Sequence, residues 1–239
     1  MQARVALVTG AAGGLGAAIS QALLEQGHIV IGVDRAPPSP ATANDRLHSR
    51  MLDITDDAAC HALVQELEGS FGRVDILVNN AGITRDATLR KMPTDAWDAV
   101  LGVNLRAAFS LCHAVVPGMQ ARGYGRIVNI SSVSGQTGNF GQANYAAAKA
   151  GLHGLTMSLA RETAAKGITV NSVSPGYVRT PMTAAMPADV LERTTAAIPI
   201  GRLGEPGDIA RAVAFLADEG AAYITGANLP VNGGLFMSF

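Results

Sequence analysis

Strand-like and helix-like stretches alternate along this chain from one end to the other. The first three are an apolar strand over Val5–Thr9, a helix over Gly14–Gln26 that ends at Gly27, and a second strand over His28–Asp34. Such alternation is typical of a parallel sheet covered on both faces by helices. We therefore predict an α/β fold with a doubly wound parallel sheet. A chain of 239 residues suffices for one core, and no repeat or linker interrupts it, so residues 1–239 are predicted to form one domain.

The rest of the chain continues the same alternation. A third strand is predicted to close at Leu52–Asp53, and later strands are predicted at Val74–Asn79, Arg126–Ser131, Ile168–Ser174 and Leu229–Val231. Helices are predicted from about Asp56 to Gly69, over Thr94–Arg122 with Thr94 as N-cap, over Asn144–Lys166 up to Gly167, and over Pro206–Ala217. Pro37, Pro38 and Pro40 predict a loop. Thr180–Pro199 contains three prolines and many small residues, and we predict a mobile excursion there.

The charge balance and the cysteines narrow the classes of partner. A formal net charge of -1 leaves no basic field for nucleic acid or an anionic membrane. Val5–Leu24 has no charged residue, but its four glycines favour a buried strand, turn and helix over a membrane span. Cys60 and Cys112 form no CxxC motif, which indicates a reduced, cytoplasmic protein. The five histidines show no metal-ligand spacing, so no metal is expected.

A glycine cluster joins the first strand directly to the first helix. Glycines in such a turn let the backbone approach a pyrophosphate, whose charge is favoured at the helix N-terminus. The predicted contacts are Gly10, Gly13, Gly14, Leu15 and Gly16. A tight turn without a ligand has a similar glycine pattern, but the strand before it and the helix after it favour dinucleotide binding.

The residue that closes the second strand bears on which dinucleotide is bound. Asp34 can accept hydrogen bonds from the adenosine ribose hydroxyls, and its charge would repel a 2′-phosphate. Asp34 could instead cap a loop before the prolines. Arg35 provides a guanidinium that could bind a 2′-phosphate. The sequence therefore favours NAD(H) and leaves NADP(H) as the alternative.

Polar residues also follow the third and fourth predicted strands. Asp53 could meet the adenine amino group, although an Asp at a helix N-terminus has the same pattern. The run Asn79-Asn80-Ala81-Gly82 combines amides that can tie loops together with small residues that let a cofactor lie close. An Asn-rich turn without a ligand is the alternative for this run.

Tyr145 and Lys149 are four residues apart on a predicted helix and so share one face. An ammonium near a phenol favours the phenolate, which would make Tyr145 a better general acid towards a carbonyl. Taken alone, such a pair is more typical of a helix surface. Ser132, thirteen residues earlier, and the glycine turn favour the catalytic interpretation.

Together these motifs resemble the short-chain dehydrogenases/reductases, in the family's order and over essentially the whole chain. The motifs are Thr9-Gly10-xxx-Gly14-x-Gly16, Asn79-Asn80-Ala81-Gly82, Ser132, Tyr145-xxx-Lys149 and Pro175-Gly176. Within that family, Gly82-Ile83-Thr84-Arg85-Asp86, Phe140-Gly141-Gln142-Ala143-Asn144-Tyr145 and Val231-Asn232-Gly233-Gly234 resemble the 3-oxoacyl thioester reductases, which act on acyl-carrier-protein or CoA thioesters. The resemblance implies a Rossmann-type NAD(P)-binding domain.

The resemblance also implies roles for individual residues. The implied catalytic residues are Ser132, Tyr145, Lys149 and Asn104. The implied cofactor contacts, besides the glycine turn, are Asp34, Arg35, Asp53, Ile54, Asn80, Ala81, Gly82, Tyr145, Lys149, Pro175, Gly176, Val178 and Thr180. The implied substrate contacts are Ser132, Gln142, Tyr145 and Tyr177, with Thr180–Pro199 as a lid.

The implied reaction is the NAD(P)H-dependent reduction of a 3-oxoacyl thioester to the 3-hydroxyacyl thioester. Many such reductases use NADPH and carry a basic residue in the glycine turn, where this chain has Ala12 and Gly13. A homotetramer is implied, and Arg122, Arg126 and Lys166 could form a basic rim for an acyl-carrier protein or for CoA phosphates. The alternatives are an oxidoreductase of a sugar, a polyol or another alcohol, and a non-catalytic nucleotide-binding regulator.

Overall fold

The computed structural model describes residues 3–36, 44–184 and 187–237. Their centre is a seven-stranded sheet in the order β3-β2-β1-β4-β5-β6-β7, in which every neighbouring pair is parallel. The strands are β1 Val5–Thr9, β2 Ile29–Asp34, β3 Leu47–Met51, β4 Ile76–Asn79, β5 Gly125–Ile130, β6 Ile168–Pro175 and β7 Asn228–Val231. The predicted doubly wound α/β fold is confirmed.

Described helices connect β1 to β2 and each successive pair of strands from β3 to β7, as crossovers between parallel strands usually do. They are α1 Gly14–Glu25, α2 Asp57–Phe71, α3 Thr94–Leu101, α4 Ala107–Arg122, α5 Ser134–Thr137, α6 Ala143–Thr163, α7 Pro181–Ala184, α8 Ala188–Ala196 and α9 Pro206–Ala217. Helices α1 and α9 pack against each other, and α2, α4 and α6 lie on the other face of the sheet. Two apolar clusters, one for each face, form the core of the domain.

The strand order places the functional motifs along one edge of the sheet. The chain leaves β1 in one direction towards β2 and β3, and in the other towards β4. In open α/β sheets a ligand binds where the order reverses, beyond the carboxyl ends of the strands. The glycine turn follows β1, Asp34 ends β2, and the Asn79–Gly82 run begins at the end of β4. Ser132 follows β5 and Gly176 follows β6, so all five motifs lie at this edge.

The predicted helix over Thr94–Arg122 is right in extent but not uniform. Gly102–Arg106 forms a π-helical segment between α3 and α4. The predicted N-cap is wrong, because Thr94 is the first helical residue, Pro93 is the cap, and no side chain caps the end. Proline at the cap presets an extended backbone and leaves Thr94 inside the first turn.

Two further boundaries differ from the sequence prediction. Strand β3 ends at Met51, two residues before Asp53, although Leu52 N–H still donates to the Asp34 carbonyl at 2.9 Å. Thr180–Pro199 contains the helices α7 and α8, because two of its three prolines, Pro181 and Pro187, stand at helix starts and Pro199 follows the end of α8. The predicted loop at Pro37, Pro38 and Pro40 lies outside the described residues.

One helical run among the described residues is long and apolar enough to cross a membrane. It covers Thr94–Arg122. The most apolar 18 residues of this run have a mean hydropathy of 1.6, and 44% of them are buried. One such run is weak evidence for a span, because the core helix of a globular protein has the same length and composition. Here α4 packs on α2, β4 and β5 inside the domain. Val5–Leu24 forms β1, the glycine turn and most of α1, as predicted.

Candidate active site

The glycine turn is shaped by contacts that exclude side chains. Gly10 and Gly14 have φ angles of 65° and 56°, a region that L-residues with a Cβ rarely adopt. A Cβ on Gly16 would press against the Gly10 carbonyl oxygen. Gly13 differs, because its backbone is extended and a Cβ there would meet no atom within 4 Å. Three of the four glycines are therefore needed by the turn itself, and the fourth borders open space.

Asp34 is fixed over this turn by backbone hydrogen bonds. Its Oδ2 accepts from the N–H of Ala12 at 3.1 Å, and its Oδ1 accepts from the N–H of Ala36 at 3.1 Å. The guanidinium of Arg35 turns towards Asp53, with 3.5 Å between Nε and Oδ2. Asp53 also accepts from the N–H and the hydroxyl of Thr55, and these two hydrogen bonds hold its pKa below the usual value. Ile54 is buried in the core behind them.

The end of β4 is tied to the glycine turn by one amide. The Nδ2 of Asn80 donates to the carbonyls of Thr9 and Gly10, at 2.8 and 3.2 Å. The Thr9 hydroxyl in turn accepts from the N–H groups of Asn80 and Ala81, both at 3.0 Å. These bonds confirm the expectation that an Asn amide ties the two loops together.

Ser132 and Tyr145 meet beyond the end of β5. The Ser132 hydroxyl lies close enough to the Tyr145 phenol to lower its pKa. Burial outweighs that effect and raises the pKa of Tyr145, and the negative charge of Asp86 raises it further. Ser132 Oγ also accepts from the N–H of Ser134 at 3.1 Å, which orients the hydroxyl at the start of α5.

Lys149 is buried beside this pair. Its side chain lies 5.6 Å from the centre of the Tyr145 ring and only 3% of the residue is exposed. Nζ donates to the Ile130 carbonyl at 2.7 Å. Burial lowers the pKa of the amine to about 8. The expectation that Lys149 acidifies Tyr145 is not met here, because the amine is directed at a backbone carbonyl and burial dominates the pKa of both groups.

Asn104 belongs to the π-helical segment. Its Nδ2 donates to the carbonyls of Ile83 and Val100, at 2.9 and 2.8 Å, and its Oδ1 accepts from the Ile83 N–H at 3.2 Å. A Cβ built on Gly82 would stand 2.5 Å from Asn104 Oδ1 and 3.5 Å from Lys149 Nζ. Because Gly82 has no side chain, the Asn104 amide and the Lys149 amine can both lie beside it. Asn104 itself belongs to the π-helical segment, and such segments are frequent at functional sites.

The segment after β6 completes the wall of the site. A Cβ on Gly14 would lie 3.9 Å from the Thr180 methyl group, so this segment reaches the glycine turn. The Thr183 hydroxyl donates to the Val178 carbonyl and accepts from the Thr180 N–H, which fixes the local backbone. A Cβ on Gly176 would crowd Asn232, which explains the glycine after Pro175.

Next to Ser132 a cavity of about 500 Å³ opens. It is lined by Val133, Ser134, Thr137, Gly138, Asn139, Tyr177, Arg193, Thr194, Ala197 and Leu235. Tyr177, a predicted substrate contact, is among these lining residues. Gln142 lies behind it, where its amide donates to Asp86 at 3.0 Å and accepts from Ser134 and Asn139.

Comparisons with known proteins agree with this geometry. The family model described as "Enoyl-(Acyl carrier protein) reductase" matches residues 10–236. The chain belongs to the short-chain dehydrogenase/reductase family.

Three relatives of this family illustrate the range of names. The "Acetoacetyl-CoA reductase" of Allochromatium vinosum is 50% identical over 98% of this chain and 99% of its own length. The "3-oxoacyl-[acyl-carrier-protein] reductase FabG" of Escherichia coli is 48% identical over 99% of this chain and 98% of its own length. The "Nodulation protein G" of Azospirillum brasilense is 47% identical over 98% of this chain and 99% of its own length.

Reductases of the short-chain dehydrogenase/reductase family use NAD(P)H, and the residues at this edge fit such a dinucleotide. The N-cap of helix α1 is Gly13, which borders open space, so among the described residues no side chain caps the first N–H groups of the helix, and its first turn has no acidic residue. An anionic pyrophosphate matches these donors and the helix dipole. Asp34 lies at one side of the turn and Thr180 at the other.

Several residues that hold this site in the short-chain dehydrogenase/reductase fold were not predicted. Ser131 donates from its hydroxyl to the Lys149 carbonyl at 2.8 Å, and a Cβ on Gly135 would crowd the Lys149 backbone. Both anchor α6, and neither has a spacing signal. The Asp86 carboxylate accepts a hydrogen bond from the Gln142 amide, and the sequence signal for Asp86 is its place at the end of the Gly82–Asp86 run. A buried hydrogen bond between Asn79 and Asn129 at 2.8 Å joins β4 to β5, and the matching asparagines at the two strand ends are the signal for it.

The predicted basic rim does not form as expected. Arg126 is 3% exposed, with its guanidinium near the Tyr124 ring and the carbonyls of Gly125 and Gly167. Arg122 is bound to Glu68 and to the Val74 carbonyl. Both guanidiniums donate to acceptors within the fold near β5, so they are not free to form a rim at the surface.

Proposed function

We propose that this protein reduces 3-oxoacyl thioesters to 3-hydroxyacyl thioesters with NADH as the hydride donor. The observation that carries the proposal is the meeting of Ser132, partly buried Tyr145 and buried Lys149 beside a cavity that opens at the cofactor edge. A protein that only binds a nucleotide needs none of these three groups. The thioester is inferred from the acetoacetyl-CoA reductases and 3-oxoacyl-[acyl-carrier-protein] reductases, which are about half identical over nearly the whole chain.

In the proposed mechanism the side chains handle the ketone oxygen and its proton. Ser132 and Tyr145 donate hydrogen bonds to that oxygen and stabilise the negative charge that develops on it. The bound dinucleotide supplies the hydride. Tyr145 then gives its proton to the alkoxide, for which the raised pKa keeps the phenol protonated at neutral pH.

Lys149 and Asn104 are proposed to restore that proton and to orient the cofactor. An amine whose pKa is near 8 exchanges protons readily at neutral pH, so Lys149 suits a relay better than a fixed charge. It would also hold the nicotinamide ribose hydroxyls. Asn104 faces the same gap beside Gly82 and would order a water molecule that resupplies Lys149.

The remaining contacts are proposed from position. The pyrophosphate would lie on the glycine turn, against Gly10, Gly13, Gly14, Leu15 and Gly16. The adenine would lie against Asp53 and Ile54. The nicotinamide ribose would lie against Asn80, Ala81 and Gly82. Pro175, Gly176, Val178 and Thr180 would line the nicotinamide, with the Thr180 hydroxyl on its carboxamide. Gln142 and Tyr177 would border the acyl chain, and Thr180–Pro199 would close over it.

NADH is proposed over NADPH because of Asp34. Its carboxylate is held at the turn by two backbone N–H groups, so it cannot easily swing away from a 2′-phosphate. At about 4 Å, two like charges repel by about 4 kcal/mol at a dielectric constant near 20. Arg35 faces Asp53 and could reach a 2′-phosphate only after leaving that partner.

The assembly and the location are proposed as well. Phe109 on α4 and Met157 on α6 are 56% and 53% exposed, which favours burial of this face between subunits of a homotetramer. Cys60 and Cys112 are both free and buried, in keeping with a cytoplasmic enzyme. An acyl-carrier protein is a possible partner as the bearer of the substrate.

A four-way assay tests the proposal. Acetoacetyl-CoA and a 3-oxoacyl-[acyl-carrier-protein] are each offered with NADH and with NADPH, and nucleotide consumption is followed at 340 nm. We expect reduction of at least one thioester, faster with NADH. If neither thioester is reduced while a simple ketone, sugar or polyol is turned over, the substrate class proposed here is wrong. If a nucleotide binds and nothing is turned over, the protein is a regulator.

A further inference from the structure

The cavity beside Ser132 has one charged residue among the described residues that line it. This residue is Arg193 on α8, and its neighbours around the cavity are polar, aromatic or aliphatic. The Arg193 side chain is 75% exposed, so the guanidinium stands at the mouth of the cavity, away from the half-buried Ser132–Tyr145 pair. A cation in that position faces a part of the substrate distant from the reacting carbonyl.

The helix that carries Arg193 is lightly attached. None of the residues of α8, Ala188–Ala196, is buried. The partner of Arg193 within the structure is Asp189, one turn earlier, with 2.8 Å between Nη2 and Oδ2, and this carboxylate is 72% exposed. Exposed pairs of this kind contribute about 0.2–1 kcal/mol, so a better anionic partner can displace Asp189 at little cost.

We propose that Arg193 is a specificity-determining residue that binds phosphate on the carrier arm of the acyl substrate. The inference rests on the proposed function, since CoA and the prosthetic arm of an acyl-carrier protein both join the thioester to phosphate through pantetheine. A guanidinium can bind two phosphate oxygens in a bidentate, charge-assisted geometry, whereas Asp189 accepts from Arg193 through one carboxylate oxygen only. The cation therefore recognises the phosphorylated carrier, and the cavity next to it accommodates the uncharged arm.

Steady-state kinetics of Arg193→Gln test the proposal with three substrates. Acetoacetyl-N-acetylcysteamine has no phosphate, acetoacetyl-phosphopantetheine has the phosphate that both carriers share, and acetoacetyl-CoA adds the second phosphate of the diphosphate, the adenosine and its 3′-phosphate. We expect the KM for acetoacetyl-CoA to rise about five- to tenfold, a loss of about 1–1.4 kcal/mol, with kcat within about twofold. The KM for acetoacetyl-N-acetylcysteamine should move less than about twofold. If the KM for acetoacetyl-phosphopantetheine rises as well, Arg193 binds the phosphate that both carriers share. If only the KM for acetoacetyl-CoA rises, Arg193 binds the phosphates of the nucleotide.

Matched variants separate recognition from structure. Arg193→Lys keeps the charge and should recover most of the affinity for acetoacetyl-CoA. Asp189→Asn removes the competing carboxylate and should lower that KM. Arg211→Gln is the control, because Arg211 is 73% exposed in a comparable helical pair with Asp208 and is not among the residues that line the cavity.

An equal rise in KM for all three substrates, or no rise for acetoacetyl-CoA, overturns the assignment of Arg193. That outcome differs from failure of the proposed function, in which the wild-type protein reduces none of the three thioesters.

Discussion

At the scale of single residues, the site depends on an amine that is buried in the fold. Lys149 is 3% exposed and its burial lowers the pKa from 10.5 to about 8. Below pH 8 the folded protein carries a buried charge that the unfolded chain carries in water. Between pH 8 and 10.5 the folded protein releases this proton while the unfolded chain keeps it, so stability rises with pH in that window.

Lys149→Met removes this linkage. Between pH 7 and pH 10 the free energy of unfolding of the wild type should rise relative to that of the variant by about 2 kcal/mol, whatever offset the lost bond to the Ile130 carbonyl causes. Urea unfolding of both proteins across this range measures the difference. Parallel pH profiles would contradict the burial of an ionisable amine at this position.

Asp34 controls the cofactor through its charge. Asp34→Ser should lower the ratio of kcat/KM for NADH to that for NADPH by at least about tenfold, because the repulsion of a 2′-phosphate is lost. Arg35→Gln, measured in parallel, should leave the wild-type preference for NADH in place. If the wild type prefers NADPH and Arg35→Gln abolishes that preference, Arg35 is the residue that reads the ribose and the account of Asp34 fails.

At the scale of elements, the first strand–turn–helix unit could be predicted to within one residue, whereas the lid could not. The turn needs glycines because its local backbone has positive φ angles, and such a local requirement is visible in the sequence as a glycine pattern. Helix α8 has no buried residue and is placed by the chain on either side of it. The hydrogen bond from Lys149 to the Ile130 carbonyl also could not be predicted from the sequence, because it depends on how α6 packs against β5.

A pair of substitutions tests the turn. Gly16→Ala puts a methyl group against the Gly10 carbonyl oxygen and should destabilise the fold by about 3 kcal/mol or more, since backbone cannot move aside. Gly13→Ala adds the same group where no atom lies within 4 Å and should change stability by less than about 0.5 kcal/mol. Thermal and urea unfolding measure both, and equal effects would show that the turn is not shaped by this contact.

At the scale of the whole molecule, the face that carries α4 and α6 exposes two large apolar side chains. Phe109 and Met157 stand exposed on α4 and α6, the helices that follow the π-helical segment and carry Tyr145. Packing of this face against another subunit would brace both helices from behind and so support the site.

Size-exclusion chromatography with light scattering should give about 98 kDa, four times the 24.5 kDa of one chain. Phe109→Asp combined with Met157→Asp should reduce this mass to that of a dimer or a monomer. Met51→Asp, at a large apolar residue that is 70% exposed on edge strand β3, should leave the mass unchanged. A monomeric wild type, or an unchanged mass in the double variant, would contradict the interface proposed on α4 and α6.

The central claim is that Tyr145 protonates the ketone oxygen of a 3-oxoacyl thioester. Its most direct test compares the wild type and Tyr145→Phe in the reduction of acetoacetyl-CoA by NADH, with the Kd for NADH measured on both proteins. We predict that kcat falls by at least about 10²–10⁴-fold in the variant, the usual contribution of a general acid, while the Kd changes by less than about threefold. A variant that binds NADH normally and keeps a kcat within tenfold of the wild type would contradict the claim.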